Sequence, residues 1–264
     1  MDRLLVASLL SLITASATTV AAARPIDLLS HRAAYALRLA DKDAGDLFAA
    51  VEGAMVLEWK ATCDGWISSQ RMGFVAETLD GEEVTFDVRF SSWESAANDR
   101  IRFTLRSFDG ARPVESYRGE ARLDGPEGAG VARYREPAGV SIDLPPGTVF
   151  PTEQMRRLVE AAREGRMMSQ YRLFDGSGLV SASSVTAVIG SSSEVEEAAS
   201  GYTRRWPVSL AYYDFGGETG APEFEVSFML DEGGVLYDIR LDYGDFALQG
   251  ELRELELLPP PDCP

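Results

Sequence analysis

The sequence predicts an exported all-β domain that carries one amphipathic helix. Apolar and polar residues alternate with a period of two over most of the chain, as is typical of half-buried antiparallel strands. Asp-Gly pairs punctuate these segments at the spacing of hairpin turns. Helical periodicity marks one segment, after residue 150. These three observations favour a curved antiparallel sheet that packs against a helix.

The first 23 residues have the order of a cleaved secretory signal. Arg3 supplies a basic start, residues 4–13 form an apolar core, and the segment ends on small residues at Ala23. Serine and threonine residues interrupt the apolar part, which makes it a poor membrane span. We expect residues 1–23 to be removed and residues 24–264 to form one soluble domain in the periplasm. An uncleaved amino-terminal anchor is the alternative.

Net charge limits the classes of partner. The chain has 25 Lys and Arg residues against 42 Asp and Glu residues, a net charge of −17. This surplus argues against nucleic acid or anionic lipid headgroups bound through general electrostatic attraction, while it leaves local basic patches open. No later segment is apolar enough to cross a bilayer. We therefore predict neither nucleic-acid binding nor a membrane span.

The strand pattern is clear in several segments. In residues 83–92 the apolar side chains of Val84, Phe86 and Val88 alternate with polar ones. The same alternation is found in residues 55–61, 101–105, 224–230, 235–243 and 246–258. Turns are expected at Asp80-Gly81, Asp109-Gly110, Asp124-Gly125 and Asp175-Gly176. Residues 181–193 are serine-rich, precede an acidic stretch, and are interpreted as a solvated loop.

Residues 152–165 are predicted to form the helix. Thr152 is the expected N-cap, and Gly165 follows the expected end. One face carries the apolar side chains of Met155, Leu158, Val159 and Ala162. A lone helix among strands must bury such a face, and a curved sheet offers the place. We predict that this helix completes the core.

Cys63 and Cys263 are the two cysteines of the chain. In an exported protein an even count indicates a disulfide, and two cysteines allow one intramolecular pairing. Cys63 follows a predicted strand, whereas Cys263 lies in a proline-rich tail that cannot join a central ladder. The disulfide should fasten the tail to the sheet. Two distant thiols and one histidine do not make a closed zinc site, and we expect no cofactor.

The residues with catalytic chemistry do not form a recognisable motif. His31, the single histidine, has no G-x-S-x-G serine to activate. A glycosidase needs a pair of carboxylates. The candidates include Glu58, Glu94 and Glu115, but their positions in or beside strands favour a solvent-facing placement. The segment at Asp175 lacks the lysine and helix of a phosphate loop and is interpreted as a tight hairpin turn. The tryptophans at 59, 66, 93 and 206 could line a groove, but aromatic side chains in strands are first expected in the core.

Several landmarks together resemble one protein family. They are Leu29-Ser30-His31-Arg32-Ala33-Ala34-Tyr35, Glu58-Trp59, Cys63-Asp64-Gly65-Trp66, residues 144–151, Phe174-Asp175-Gly176 and Cys263. In this order and spacing they are similar to the EipB family of alphaproteobacterial periplasmic proteins, once catalogued as a domain of unknown function.

This resemblance implies an unclosed, spiral antiparallel β-barrel wrapped around an amphipathic helix, similar to the lipoprotein carriers LolA and LolB. Residues 152–165 are then the candidate enclosed helix, and the family's disulfide matches Cys63 and Cys263. The resemblance also implies a role in cell-envelope integrity and a periplasmic tetratricopeptide-repeat protein as partner. It supplies no catalytic residues.

Three functional hypotheses follow. The leading one is a non-enzymatic periplasmic factor that maintains the envelope by binding a lipid, a lipoprotein or a protein partner in or beside the curved sheet. The second is a structural adaptor with no ligand cavity. The third is a cell-wall hydrolase that uses a carboxylate pair.

Overall fold

The computed structural model describes residues 26–40, 47–125, 128–214 and 220–263. Within these ranges the chain forms sixteen strands and one helix. In chain order they are β1 (His31–Leu39), β2 (Phe48–Thr62), β3 (Gly65–Thr78), β4 (Glu83–Ser95), β5 (Arg100–Asp109), β6 (Arg112–Leu123), β7 (Gly130–Glu136), β8 (Ser141–Leu144), β9 (Thr148–Val149), α1 (Pro151–Arg163), β10 (Met168–Leu173), β11 (Ser183–Ile189), β12 (Ser193–Glu194), β13 (Arg204–Asp214), β14 (Phe224–Asp231), β15 (Leu236–Asp242) and β16 (Ala247–Leu257).

The strands form one long sheet that turns back on itself. Their order in space is β8-β7-β6-β5-β4-β3-β2-β1-β16-β15-β14-β13-β11-β10-β9, and β12 pairs with β13 beside this path. Neighbours along the path are antiparallel except β9 and β10, which are parallel. The path starts and ends with two strands that are adjacent in the chain, so the sheet curls into a nearly closed barrel.

A seam separates the two ends of this path, because β8 and β9 share no ladder. Side chains bridge the seam instead. The hydroxyl of Tyr134 donates to the carbonyl of Gly178 at 2.5 Å, and the hydroxyl of Ser181 donates to the carbonyl of Asp143 at 2.7 Å. The predicted unclosed antiparallel spiral is therefore confirmed.

Alternation along each strand decides which side chains face inward. In β5, Ile101, Phe103 and Leu105 are buried, whereas Arg102 and Arg106 are exposed. The inward side chains form two main apolar clusters. The larger surrounds α1 and draws on β1–β3, β9–β11 and β13–β16, and the smaller combines β5–β8 with Phe150 and Phe174.

Helix α1 lies inside the spiral. Leu158, Val159 and Ala162 are at most 3% exposed, and Met155 packs partly buried against the larger cluster. These are the side chains of the predicted apolar face. Their burial removes roughly 1.5–3 kcal/mol of unfavourable hydration for each large aliphatic side chain.

The predicted N-cap is wrong. The helix begins at Pro151, so Phe150 is the N-cap and Thr152 stands inside the first turn. Phe150 provides no capping side chain, and two other features compensate for this. Proline has no N–H that needs an acceptor, and the carboxylate of Glu94, from β4, accepts the backbone N–H of Thr152 at 2.9 Å. At the other end Gly165 has a φ of +70°, as expected after a helix end.

Two predicted loops also differ from the structure. Residues 181–193 contain strand β11, whose Val185, Ala187 and Ile189 are buried, because period-two alternation outweighs the serine content there. The predicted tight turn at Asp175 is a nine-residue connection, 174–182, between β10 and β11. It folds inward because Phe174 packs edge to face on Phe103, with ring centroids 5.6 Å apart.

The predicted disulfide between Cys63 and Cys263 is present, with the two Cα atoms 5.6 Å apart. Cys63 directly follows β2, and Cys263 lies six residues past β16. The tail is also held by a backbone hydrogen bond of 2.8 Å from the Leu258 N–H to the carbonyl of Ser30. The crosslink therefore ties the tail to the sheet, as expected.

The described ranges include no helix with the length and apolarity that a membrane span requires. The predicted signal, residues 1–23, lies outside the described residues.

We expect reduction of the disulfide to lower the melting temperature. The crosslink spans a sequence separation of 200 residues, and the loss of so large a closed loop costs up to about 5 kcal/mol, or roughly 10 °C for a domain of this size. Thermal unfolding of the mature protein with and without reductant measures the shift. The Cys63→Ser/Cys263→Ser variant is the control, since its melting temperature should not respond to reductant. Equal melting temperatures for the oxidised and reduced wild type would contradict the stabilising role.

Candidate functional site

The two ends of the spiral are built differently. One end carries the disulfide and receives the helix: Thr152 bonds to Glu94, Arg156 lies 5.8 Å from the ring of Trp66, and Arg163 lies 3.9 Å from Glu232. We call it the plug end. The other end carries the start of β2 and the turn between β15 and β16, and we call it the mouth.

Aromatic rings line the inner wall at the mouth. Seven of them form a continuous chain in which neighbouring ring centroids lie within 6.5 Å. In the order of these contacts they are Phe74, Phe86, Phe48, Phe246, Tyr243, Phe224 and Tyr212, and we call this set the aromatic arc. It reaches from β4 to β13, on both sides of β1.

Strand register and one turn assemble the arc. Phe74 stands directly opposite Phe86 in the β3–β4 pair, and Tyr212 stands directly opposite Phe224 in the β13–β14 pair. Side chains opposite each other in an antiparallel pair lie close enough for direct ring contact. Tyr243 and Phe246 flank the β15–β16 turn, which a 2.9 Å backbone hydrogen bond between them closes. Their rings stack at 4.9 Å.

The surface of the arc is apolar and partly open. Phe48 and Phe74 are buried, whereas the other five rings are half-exposed. Burial raises the pKa of the Tyr243 hydroxyl to about 12. Burial also raises the pKa of Tyr212, with a further contribution from the charge of Asp175, while an interaction with the side chain of Gln154 acts in the opposite direction. The mouth therefore presents aromatic surface in a weakly polar environment, which is the property of a site for hydrocarbon.

At the plug end, Glu94 is a buried carboxylate and not the solvent-facing one that its sequence position predicts. Its side chain is 2% exposed, because the inward face of β4 meets the start of α1 there. Burial raises its pKa to about 7, although the hydrogen bond from Thr152 and the charge of Arg156 act in the opposite direction. Its second oxygen, Oε1, has no hydrogen-bond partner in the described part of the chain. The residue acts as a capping group for α1.

His31 is a buried side chain at the start of β1. Its Nδ1 is 2.9 Å from the carbonyl oxygen of Leu29, and among the described residues its Nε2 has no partner. Burial lowers its pKa, which favours the neutral ring. Nearby, the carboxylate of Asp231 accepts the N–H groups of Gly233 and Val235. No described nucleophile is hydrogen-bonded to His31.

The remaining sequence candidates do not converge. Glu58 is on the outer face, where its carboxylate lies 2.6 Å from Arg32, and Glu115 is exposed. Trp66 and Trp206 are core residues, as expected, whereas Trp93 is half-exposed on the outer face. Across residues 26–40, 47–125, 128–214 and 220–263, no three His, Cys, Asp or Glu side chains gather as metal ligands do.

Local sequence does not mark the arc, because its rings come from distant segments and each resembles a core residue of its own strand. The sequence signal that could identify these rings is their position along the strands. Every ring of the arc lies within four residues of a strand terminus at the mouth.

The chain matches the family model described as EipB-like over residues 22–259. It is 29% identical over 250 residues to the cell envelope integrity protein EipB of Brucella abortus (strain 2308), a match that covers 91% of this chain and 88% of that protein. A solved structure is also similar: a β-barrel-like protein of a domain of unknown function from Brucella abortus. The TM-score is 0.80 and the identity 28%, over 89% of this chain and 100% of that chain.

We expect Glu94→Gln to change how stability depends on pH. The carboxyl pKa is about 7 in the folded chain against an ordinary value of 4.5, so folding favours the protonated acid. Its stabilising contribution is present at low pH and is lost as the pH rises through 7. Glutamine cannot ionise, so the variant should gain about 2 kcal/mol of unfolding free energy relative to wild type between pH 5 and pH 8.

Urea unfolding of both proteins at the two pH values measures this difference. The titration of His31 affects both proteins equally and cancels. Asp175 and Arg156, the charged groups that act on Glu94, are unchanged in the variant. A stability difference that stays constant with pH would contradict the buried, protonated carboxyl.

Proposed function

The chain belongs to the EipB-like family, and from that premise we propose that it is a non-enzymatic periplasmic factor that maintains the integrity of the cell envelope. The relative from Brucella abortus carries the name cell envelope integrity protein, and the two chains match over most of both lengths. We further propose that the protein binds the apolar part of a lipid or lipoprotein at the aromatic arc. The half-exposed arc is the observation that carries this proposal.

An aromatic surface at the mouth of a barrel suits a ligand with a hydrocarbon chain. Barrel mouths are frequent ligand sites, and rings offer a large apolar area at a small cost in side-chain freedom. Each methylene group removed from water contributes about 0.8 kcal/mol. Five of the seven rings of the arc are phenylalanine rings, which carry no polar group, so the surface favours hydrocarbon over a charged group.

The helix limits how far such a ligand can enter. Leu158 and Val159 are 1% and 0% exposed and pack against the inner wall, so protein already occupies the plug end. A ligand on the arc would lie at the mouth, with its polar end toward solvent. This arrangement suits the end of an acyl chain better than a whole lipid.

A structural adaptor is the second candidate, and the same filled plug end favours it. A spiral that buries its own helix offers a rigid outer surface without the need for a ligand. In that case the arc would receive apolar side chains of a protein partner. The tetratricopeptide-repeat protein implied by the family resemblance is one such partner.

We expect the mature protein, purified from its own periplasm, to carry a lipid in stoichiometric amount in native mass spectrometry. The Phe224→Ala/Tyr243→Ala variant removes two adjacent half-exposed rings of the arc. It should bind the lipid roughly thirtyfold more weakly and so retain less of it, since each of the two ring contacts contributes about 1 kcal/mol.

Phe108→Ala is the matched control, because Phe108 is also half-exposed but lies on the outer face, 5.0 Å from the guanidinium of Arg89. This control should keep its lipid. Equal lipid in the arc variant and the control would remove the arc as the binding surface. A folded wild type that carries a protein and no lipid would establish the adaptor in its place.

We also expect deletion of the gene to make cells more sensitive to envelope stress. Growth on detergent and on cell-wall antibiotics, with complementation by the wild-type gene, measures the effect. The envelope role would be refuted if the deletion strain grew as well as its parent under every such stress, whatever the protein binds in isolation.

A further inference from the structure

The outer face of β4–β7 carries a second feature, separate from the aromatic arc. A groove of about 350 Å³ runs across these strands. Its lining includes Arg102, Arg118 and Arg135, together with Trp93, Thr104 and the acidic Glu120. All three arginines are exposed, in a chain that has a net charge of −17. We call these residues the arginine groove.

The arginines of the groove have no anionic partner of their own. Within the described ranges, Arg102, Arg118 and Arg135 take part in no ion pair or hydrogen bond; Arg102 lies over Trp93, 5.0 Å from the ring centroid. Other arginines of the same sheet form ion pairs. They include Arg71 and Arg89 with Asp87, Arg112 with Asp109, and Arg122 with Glu120. Glu120 lies opposite Arg102 in the β5–β6 pair, but within the described residues its ion pair is with Arg122, at 3.3 Å. The three arginines therefore keep a local surplus of positive charge.

Strand register explains how the groove forms. Trp93 is opposite Arg102, and Thr104 is opposite Arg118, so the side chains form adjacent rows on the outer face. The β6–β7 register shifts next to Arg118, which leaves Arg135 as an additional residue there. Such a bulge redirects a side chain. The neighbouring carboxylate of Glu136 accepts a hydrogen bond from Ser116 at 2.8 Å and does not pair with these arginines.

We propose that the arginine groove binds the phosphate groups of anionic phospholipid headgroups and so docks the protein on a membrane surface. Three guanidinium groups offer up to fifteen N–H donors in planar forks, many more than one carboxylate can accept. Phosphate has more acceptor oxygens and suits bidentate arginine contacts. The observations therefore favour phosphate over an acidic side chain.

The position of the groove favours a lipid surface as the source of that phosphate. The groove is open on the outside of a broad sheet, where several headgroups can approach at once. Trp93 is half-exposed beside it, and Ile67 is 38% exposed. Indole rings partition to the headgroup region of bilayers, where an apolar body and a polar N–H are both satisfied. The acidic remainder of the surface is screened beyond about 8 Å at physiological ionic strength, so the attraction stays local.

Co-sedimentation with vesicles tests this site on the mature protein. We expect binding to phosphatidylcholine vesicles that contain phosphatidylglycerol, weaker binding as salt is added, and none to phosphatidylcholine alone. The variant Arg102→Gln/Arg118→Gln/Arg135→Gln should bind roughly a hundredfold more weakly, since each basic residue near an anionic surface contributes roughly a fivefold factor in affinity.

The matched control is Arg71→Gln/Arg89→Gln/Arg112→Gln, which removes the same charge from paired positions of the same sheet. It should lose only a few-fold in affinity. Equal losses in the two triple variants would show general attraction and overturn the proposal. The proposal would also be overturned if the wild type bound no vesicles and instead bound polyglutamate or inorganic phosphate through the groove. Binding of polyglutamate would identify an acidic protein as the ligand, and binding of inorganic phosphate would identify a free anion.

The Phe224→Ala/Tyr243→Ala variant separates this proposal from the lipid site at the mouth. It should bind the anionic vesicles as tightly as wild type does. Loss of vesicle binding in that variant would place the membrane contact at the arc and would contradict the role of the groove.

Discussion

The burial of helix α1 inside an open sheet is the interaction on which the rest of the structure depends. A sheet of this length has an apolar inner face that its own strands cannot cover, and Leu158, Val159, Ala161 and Ala162 cover it at the plug end. The same helix explains the seam. The chain passes from β9 at Val149 into α1 at Pro151, so it turns into the interior where the sheet would otherwise close.

This arrangement makes the two ends of the spiral unequal. Glu94 and the disulfide hold the plug end, where the helix fills the interior. At the mouth, aromatic rings line the inner wall, and five of them stay half-exposed. The helix reaches only one of these rings, Tyr212, through the side chain of Gln154 in the described part of the chain. The outer face follows a different rule, since it is polar by alternation. Several arginines described there are paired with carboxylates, whereas Arg102, Arg118 and Arg135 are not, and these three residues line the arginine groove.

Much of the fold follows from local sequence, and the candidate site does not. Alternation at Val84 to Phe90, the apolar face at Leu158 and Val159, and the pairing of two cysteines in an exported chain are each visible without tertiary information. The sequence predictions are wrong where a residue's surroundings come from a distant segment of the chain. Glu94, on β4, accepts a hydrogen bond from the start of α1, so the helix does not need Thr152 as its N-cap. The two halves of the arc meet where Phe48 and Phe74 approach Phe246 from the other side of β1. No single segment encodes that contact.

The central claim is that an apolar ligand binds at the mouth while the plug end stays filled by the protein. Solution NMR of the mature protein, titrated with a single-chain lysophospholipid below its micelle concentration, tests it most directly. We predict that the ring signals of Phe224, Tyr243 and Phe246 shift with saturation and that the methyl signals of Leu158 and Val159 do not. Shifts at the helix methyl groups with unmoved ring signals, or no saturable shift at either end, would contradict the account.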